Sequence, residues 1–122
     1  MMMDMKLMVI HVIRIAVASD DGRYVNRHFA DADAFIVFER IDNEIKFSEI
    51  RKLDGGKIEK HDDRWRRVLD LIDDCEIVIC RRIGEKPLEE AKRRGVIVFE
   101  SDDGIAAAIL KSLTELNISC RV

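Results

Sequence analysis

With 122 residues the chain has room for one hydrophobic core and not for two. Nearly half of the residues are apolar (48%) and 37% are charged, which excludes a disordered tail and suits a globular domain with a heavily charged surface. The formal net charge of −3 and the few aromatics exclude a basic, base-stacking nucleic-acid platform.

Cys75, Cys80 and Cys120 are odd in number and irregularly spaced. They form no disulfide framework, and a reduced, cytoplasmic protein is expected. The opening MMMDMKLMVIHVIRIAVAS contains an apolar run, Leu7–Ala18, that imitates a secretory signal, with Ala16-Val17-Ala18 as a mock cleavage site. His11 and Arg14 interrupt it, and it is too short to cross a bilayer, so it is read as leading into a buried first strand. Five methionines crowd Met1–Met8, so translation is expected to start within that run and the tip to fray.

In chain order, Val12–Ala18 is β-branched and continuous, a central strand. Ser19-Asp20-Asp21-Gly22 is a loop signal. Phe35–Arg40 and Glu44–Lys52 are strands two and three, joined through Asp42-Asn43 as an antiparallel hairpin whose more polar third strand takes the sheet edge. After a loop opening at Asp54-Gly55-Gly56, Trp65, Val68, Leu69 and Ile72 recur at helical spacing behind Asp62-Asp63. Glu76–Cys80 is a short strand buried on both faces. Pro87 suits a first helical position and Gly95 a stop, which predicts a helix over Leu88–Arg94. Val96–Phe99 is the fifth strand. Ser101 is expected to cap a last helix bearing Ile105, Ala108, Ile109, Ser112 and Leu116.

The order βββαβαβα predicts one α/β domain, a five-stranded mixed sheet with helices on both faces. Right-handed crossovers place the fourth strand beside the first and the fifth beside the fourth, giving order 3-2-1-4-5 with strand 2 antiparallel. Ligands of such sheets lie beyond the strand carboxyl ends where the order reverses, here between strands 1 and 4. That edge collects Ser19, Asp20, His28, Arg81, Arg82 and Gly84, together with two helix starts near Pro87 and Asp102. Histidine, arginines and helix starts suit an anion. Asp20, Asp21, Asp31, Asp33, Asp102 and Asp103 pull the other way, toward caps, ion pairs or a divalent ion.

Three stretches carry a resemblance: RIAVASDDGRYVNRHFADADAFIVFE, DDCEIVICRRIGEKPLEEAKRRGVIVF and SDDGIAAAILKSL. Across Arg14 to Leu113 the chain resembles the dinitrogenase iron–molybdenum cofactor family, the NifX-like and NafY-like accessory proteins and the C-terminal domain of NifB. The His-Phe pair and the later Ile-Gly are the most specific matches. The resemblance implies a ribonuclease H-like three-layer α/β/α fold and a non-catalytic carrier of iron–sulfur or iron–molybdenum–sulfur clusters or their precursors. It also implies that His28 binds the cluster, and that donor or acceptor proteins are partners. The chain departs from the family pattern at Ala30, usually glycine, and at Arg81 and Arg82, usually two glycines.

Imidazole nitrogen is a good ligand to iron or molybdenum, which makes His28 the leading metal ligand. Its bland reading is a loop histidine bonded to an aspartate. Cys75 and Cys80 flank one strand that rises about 3.3 Å per residue, so they are expected at opposite sheet edges and cannot share one metal. Cys80 alone, at the crevice edge, is a second possible ligand, although buried cysteine is commoner. His11 and His61 have no expected task. Two alternatives to a carrier stand: a regulatory or interaction module for a small organic anion or a partner protein, and, remotely, a metal-dependent nuclease built on Asp20.

Overall fold

The computed structural model describes residues 12–53 and 61–120, with only the backbone of residues 61–63. Five strands form one sheet of order β3-β2-β1-β4-β5: β1 Ile13–Ala18, β2 Ala34–Ile41, β3 Glu44–Lys52, β4 Ile77–Cys80 and β5 Ile97–Glu100. The helices are α1 His61–Ile72, α2 Glu85–Arg93 and α3 Ile105–Glu115, and Phe29–Asp31 makes one 3-10 turn before β2. β1 pairs antiparallel with β2 and parallel with β4, as expected of the reversal point. His11 and the Asp54-Gly55-Gly56 loop lie outside the described residues.

The pleat explains the layers. Alternate residues of a strand face opposite sides. Ala16, Ala18, Val78 and Cys80 turn to one side, where they pack with Trp65, Val68, Leu69 and Ile72 of α1 and Ala91 of α2. Ile15, Val17, Ile77 and Ile79 turn to the other and meet Ile105, Ala108, Ile109 and Leu113 of α3. β4 is buried along its whole length because it is covered on both faces. The result is a three-layer α/β/α arrangement. The β2–β3 hairpin turns on Asp42 and Asn43, both at positive φ, which matches the twist of the flanking strands.

Two helix starts differ from expectation. α2 begins at Glu85, before Pro87, because Gly84 in extended conformation serves as the N-cap and Pro87 falls at the third helical position, where its missing N–H is still harmless. Ser101 does not cap α3. Its hydroxyl accepts the Asp103 N–H at 3.0 Å, a local turn, and Gly104 occupies the cap. The end of α2 is as expected: Gly95 adopts φ +82°, and its N–H and that of Val96 close on Lys92 and Ala91 carbonyls.

Candidate functional site

The loop after β1 spends its first polar residues on itself. Ser19 is 2% exposed. Its hydroxyl donates to Asp21 Oδ1 at 3.2 Å and accepts the Gly22 N–H at 3.1 Å. The Asp21 carboxylate also accepts the backbone N–H groups of Tyr24 and Arg23, which hold it below the usual carboxylate range. Asp20 is closed against the next residues: it accepts from Asn26 Nδ2 at 2.6 Å and pairs with Arg27 at 3.3 Å. Ser19 and Asp20 therefore shape the loop, and neither lines the hollows beside His28.

This loop also occupies one of the two expected helix starts. The Ile105 N–H donates to the Arg23 carbonyl at 2.9 Å, and the Val25 N–H donates to Asp103 O at 3.0 Å. The first N–H of α3 is therefore taken by protein backbone. Sequence reasoning pooled both helix starts into one rim; the structure divides them between the two faces of the sheet.

His28 is placed by main chain. The Arg81 N–H donates to Arg27 O at 2.9 Å and the Phe29 N–H donates to Arg82 O at 2.8 Å, so the residues on either side of His28 are tied to the segment leaving β4. Phe29 next to it is fully buried and packs 6.2 Å, centroid to centroid, from Phe35. Burying such a ring is worth about 2–3 kcal/mol, enough to fix the local chain path. The His28 side chain is exposed. It stands between two open depressions. One, about 440 Å³, is lined by Asn26, Arg27, His28, Asp31, Asp33 and Arg64. The other, about 410 Å³, is lined by His28, Ala30, Asp31, Arg82, Ile83 and Gly84.

The two depressions share Asp31 and differ in how their arginines are partnered. In the first, the cations are already matched. Arg27 pairs with Asp20 at 3.3 Å and Asp33 at 3.7 Å, and Arg64 pairs with Asp33 at 2.7 Å. In the second, Arg82 has no carboxylate partner among the described residues, and its guanidinium meets only the Arg81 carbonyl, at 3.3 Å. Glu100, the nearby acid, is instead engaged by the Ile83 N–H at 2.9 Å. Arg81 is exposed but lines neither depression. Gly84 lines the second. Its φ of −75° needs no glycine, and an added Cβ would meet only the Pro87 ring at 3.6 Å. The fold therefore does not require glycine there, and its effect is to leave the start of α2 uncovered.

Cys80 lines neither depression. It is fully buried in the core beneath α1 and α2. Burial, with a smaller contribution from the Glu100 charge, pushes its thiol up to about 12. Cys75 is likewise buried and pushed up to about 12, first by burial and then by the charge of Asp74. Among the described residues no group of three or more His, Cys, Asp or Glu side chains is placed to hold a metal ion. Arg27 and Arg64 line the first depression without having been singled out by the sequence. Arg27 could have been suspected from its place beside His28. Arg64 lies in a run of polar helix residues that looks like any solvated face, and nothing local marks it.

The chain and its fold have relatives among known proteins. A family model described as "Dinitrogenase iron-molybdenum cofactor" matches residues 11–116. The chain is 34% identical over 103 residues to the FeMo cofactor biosynthesis protein NifB of Sinorhizobium fredii, covering 80% of this chain and 20% of that protein. It is 24% identical over 116 residues to the protein NifX of Azotobacter vinelandii, covering 90% of this chain and 68% of NifX. It thus spans about a fifth of the NifB protein and about two thirds of NifX. Among solved structures it shares its fold with PH0822, at a TM-score of 0.64 and 20% identity over 90% of this chain and 96% of that one. A candidate dinitrogenase from Methanocaldococcus jannaschii aligns at a TM-score of 0.57 and 12% identity, over 89% of this chain and 94% of that one. With a model match over nearly its whole length, the chain belongs to the dinitrogenase iron-molybdenum cofactor family.

Proposed function

We propose that this protein is a non-catalytic carrier or scaffold for an anionic iron–sulfur or iron–molybdenum–sulfur cluster, or a precursor of one. The cargo sits in the second depression, ligated by His28 and balanced by Arg82, with Arg81 contributing long-range charge. The observation that carries this reading is that His28, exposed on a segment held by main-chain bonds, lines one depression with Arg82, which has no acidic partner among the described residues. A cluster brings its own sulfide ligands, so one exchangeable imidazole and local positive charge suffice to dock it. The uncovered Gly84 at the start of α2 adds backbone dipoles of the favourable sign. Cys80 has no part in the site. Cluster donor and acceptor proteins are the partners this role requires.

The test is anaerobic titration with an isolated iron–sulfur–molybdenum precursor cluster, followed by charge-transfer absorption. His28→Ala is expected to weaken binding by about tenfold or more, the loss of one coordinate bond. Equal binding by wild type and variant, or by neither, sinks the proposal. Arginine at position 82 also favours a second reading, a module for a small organic anion. A thermal shift with carboxylates or phosphate and none with molybdenum–sulfur anions would select it. The nuclease reading has little support, because Asp20 is engaged by Asn26 and Arg27.

A further inference from the structure

The segment that carries His28 is held from a distant element. Arg64, in α1, sends its guanidinium across to the residues just after the histidine. Nε donates to the Ala30 carbonyl, and Nη2 donates to Ala32 O at 3.4 Å and to Asp33 Oδ1 at 2.7 Å. Arg27, just before the histidine, closes the other side: its Nη2 donates to Asp31 O at 2.5 Å and lies 3.7 Å from Asp33 Oδ2. Asp33 is thus shared by two arginines, and the 3-10 turn Phe29–Asp31 lies inside the frame they make. The turn itself has two internal hydrogen bonds, from the Asp31 N–H to His28 O at 3.1 Å and the Ala32 N–H to Phe29 O at 3.3 Å; the burial of Phe29 anchors its first residue, and the arginines reach the later ones.

We infer that Arg64 is a positioning residue for His28: its planar fork locks the Phe29–Asp31 turn to α1 and so fixes the imidazole between the two depressions. The inference builds on the proposed role of His28, but its first readout does not depend on any ligand. The fork is essential to it. A guanidinium addresses two carbonyls and a carboxylate at once from fixed directions, whereas an ammonium is a point charge on a flexible stem. Arg64 also lines the first depression, so the competing role is a simple charge that attracts the anion.

The two roles separate in Arg64→Lys, with Arg64→Gln beside it. Backbone amide exchange is measured at Asp31 and Ala32 against core amides such as Val78 and Leu69, which report global stability. Positioning predicts that in both variants the turn amides exchange about tenfold faster while the core amides hardly change, as expected of a local opening. The His28 ring resonances should shift or broaden as well. Tetrathiomolybdate, followed by its visible absorption, then gives the functional consequence: both variants bind it more weakly than wild type. Unchanged turn exchange in Arg64→Lys overturns the inference. So does full recovery of tetrathiomolybdate affinity by Arg64→Lys with loss only in Arg64→Gln, which makes Arg64 a charge on the ligand. If wild type binds no molybdenum–sulfur anion, the carrier reading fails, and amide exchange still decides whether Arg64 holds the turn.

Discussion

His28, Arg82 and Cys80 were grouped by topology, and the structure sorts them by solvent. Two are exposed and one is sealed. Cys80 illustrates how a strand end misleads: the residue lies at the right edge but its side chain falls on the α1/α2 side of the pleat, under two helices. Its raised thiol has a consequence for pH. The folded state favours the protonated form, so that contribution is complete below the ordinary value of 9.0 and is lost as pH rises toward about 12. Stability should therefore fall between pH 9 and 12. Cys80→Ala, though less stable at neutral pH because it opens a cavity, should show a flatter slope across that window by chemical denaturation. With a thiol reagent on native protein at pH 7.5, the partly exposed Cys120 should react first. Cys75 and Cys80 should wait for unfolding. At the same scale, Gly84→Ala should change stability by less than about 1 kcal/mol, since neither φ nor space demands glycine. A loss of cluster affinity in that variant would then report on the ligand and not on the fold.

Elements were legible where period decides and obscure where capping does. The continuous runs at β1 and β4 and the alternation of the hairpin leave little choice of sheet order once crossovers are right-handed. Trp65, Val68, Leu69 and Ile72 announced α1 by spacing, and all four are in the core. The starts of α2 and α3 were misplaced because Pro87 and Ser101 are plausible first-turn and cap residues, while the glycines that cap these helices carry no side-chain signal. The partners of Arg64 were illegible for a deeper reason: they are carbonyls of Ala30 and Ala32, and every residue has a carbonyl. Element ends also carry measurable energy. Gly95 at φ +82° ends α2, so Gly95→Ala should cost about 1 kcal/mol in urea unfolding. Arg51 ties edge strand β3 to the end of α1 through Asp74 at 2.5 Å and Leu71 O at 3.1 Å, its side chain only 16% exposed. Arg51→Ala should cost on the order of 1–2 kcal/mol, more than a surface pair, because it also strands a carbonyl. Asp74, held below its usual range by that arginine, gives stability that is present above pH 4 and fades as pH falls through its lowered value.

At the scale of the molecule, the two faces of the sheet are unequally covered. Two helices share one face and a single helix serves the other, which leaves Phe47 (60%) and Ile50 (54%) exposed on β3. Phe47→Ser and Ile50→Ser should each shift the thermal midpoint by no more than a few degrees, because little burial is lost. The net charge of −3 says nothing about how the arginines at this rim are partnered: Arg27 and Arg64 are paired with Asp33, and Arg82 has no acidic partner among the described residues. Beside the arginine frame, that rim is tied to the end of β4 by two bonds, Arg81 N–H to Arg27 O and Phe29 N–H to Arg82 O. Neither uses a side chain, so any pair of residues at positions 81 and 82 can make them, provided position 81 is not proline. These two bonds are thus independent of the side chains at positions 81 and 82: glycines there would leave the segment tied in the same register, whereas Arg82 adds a positive charge beside the ring.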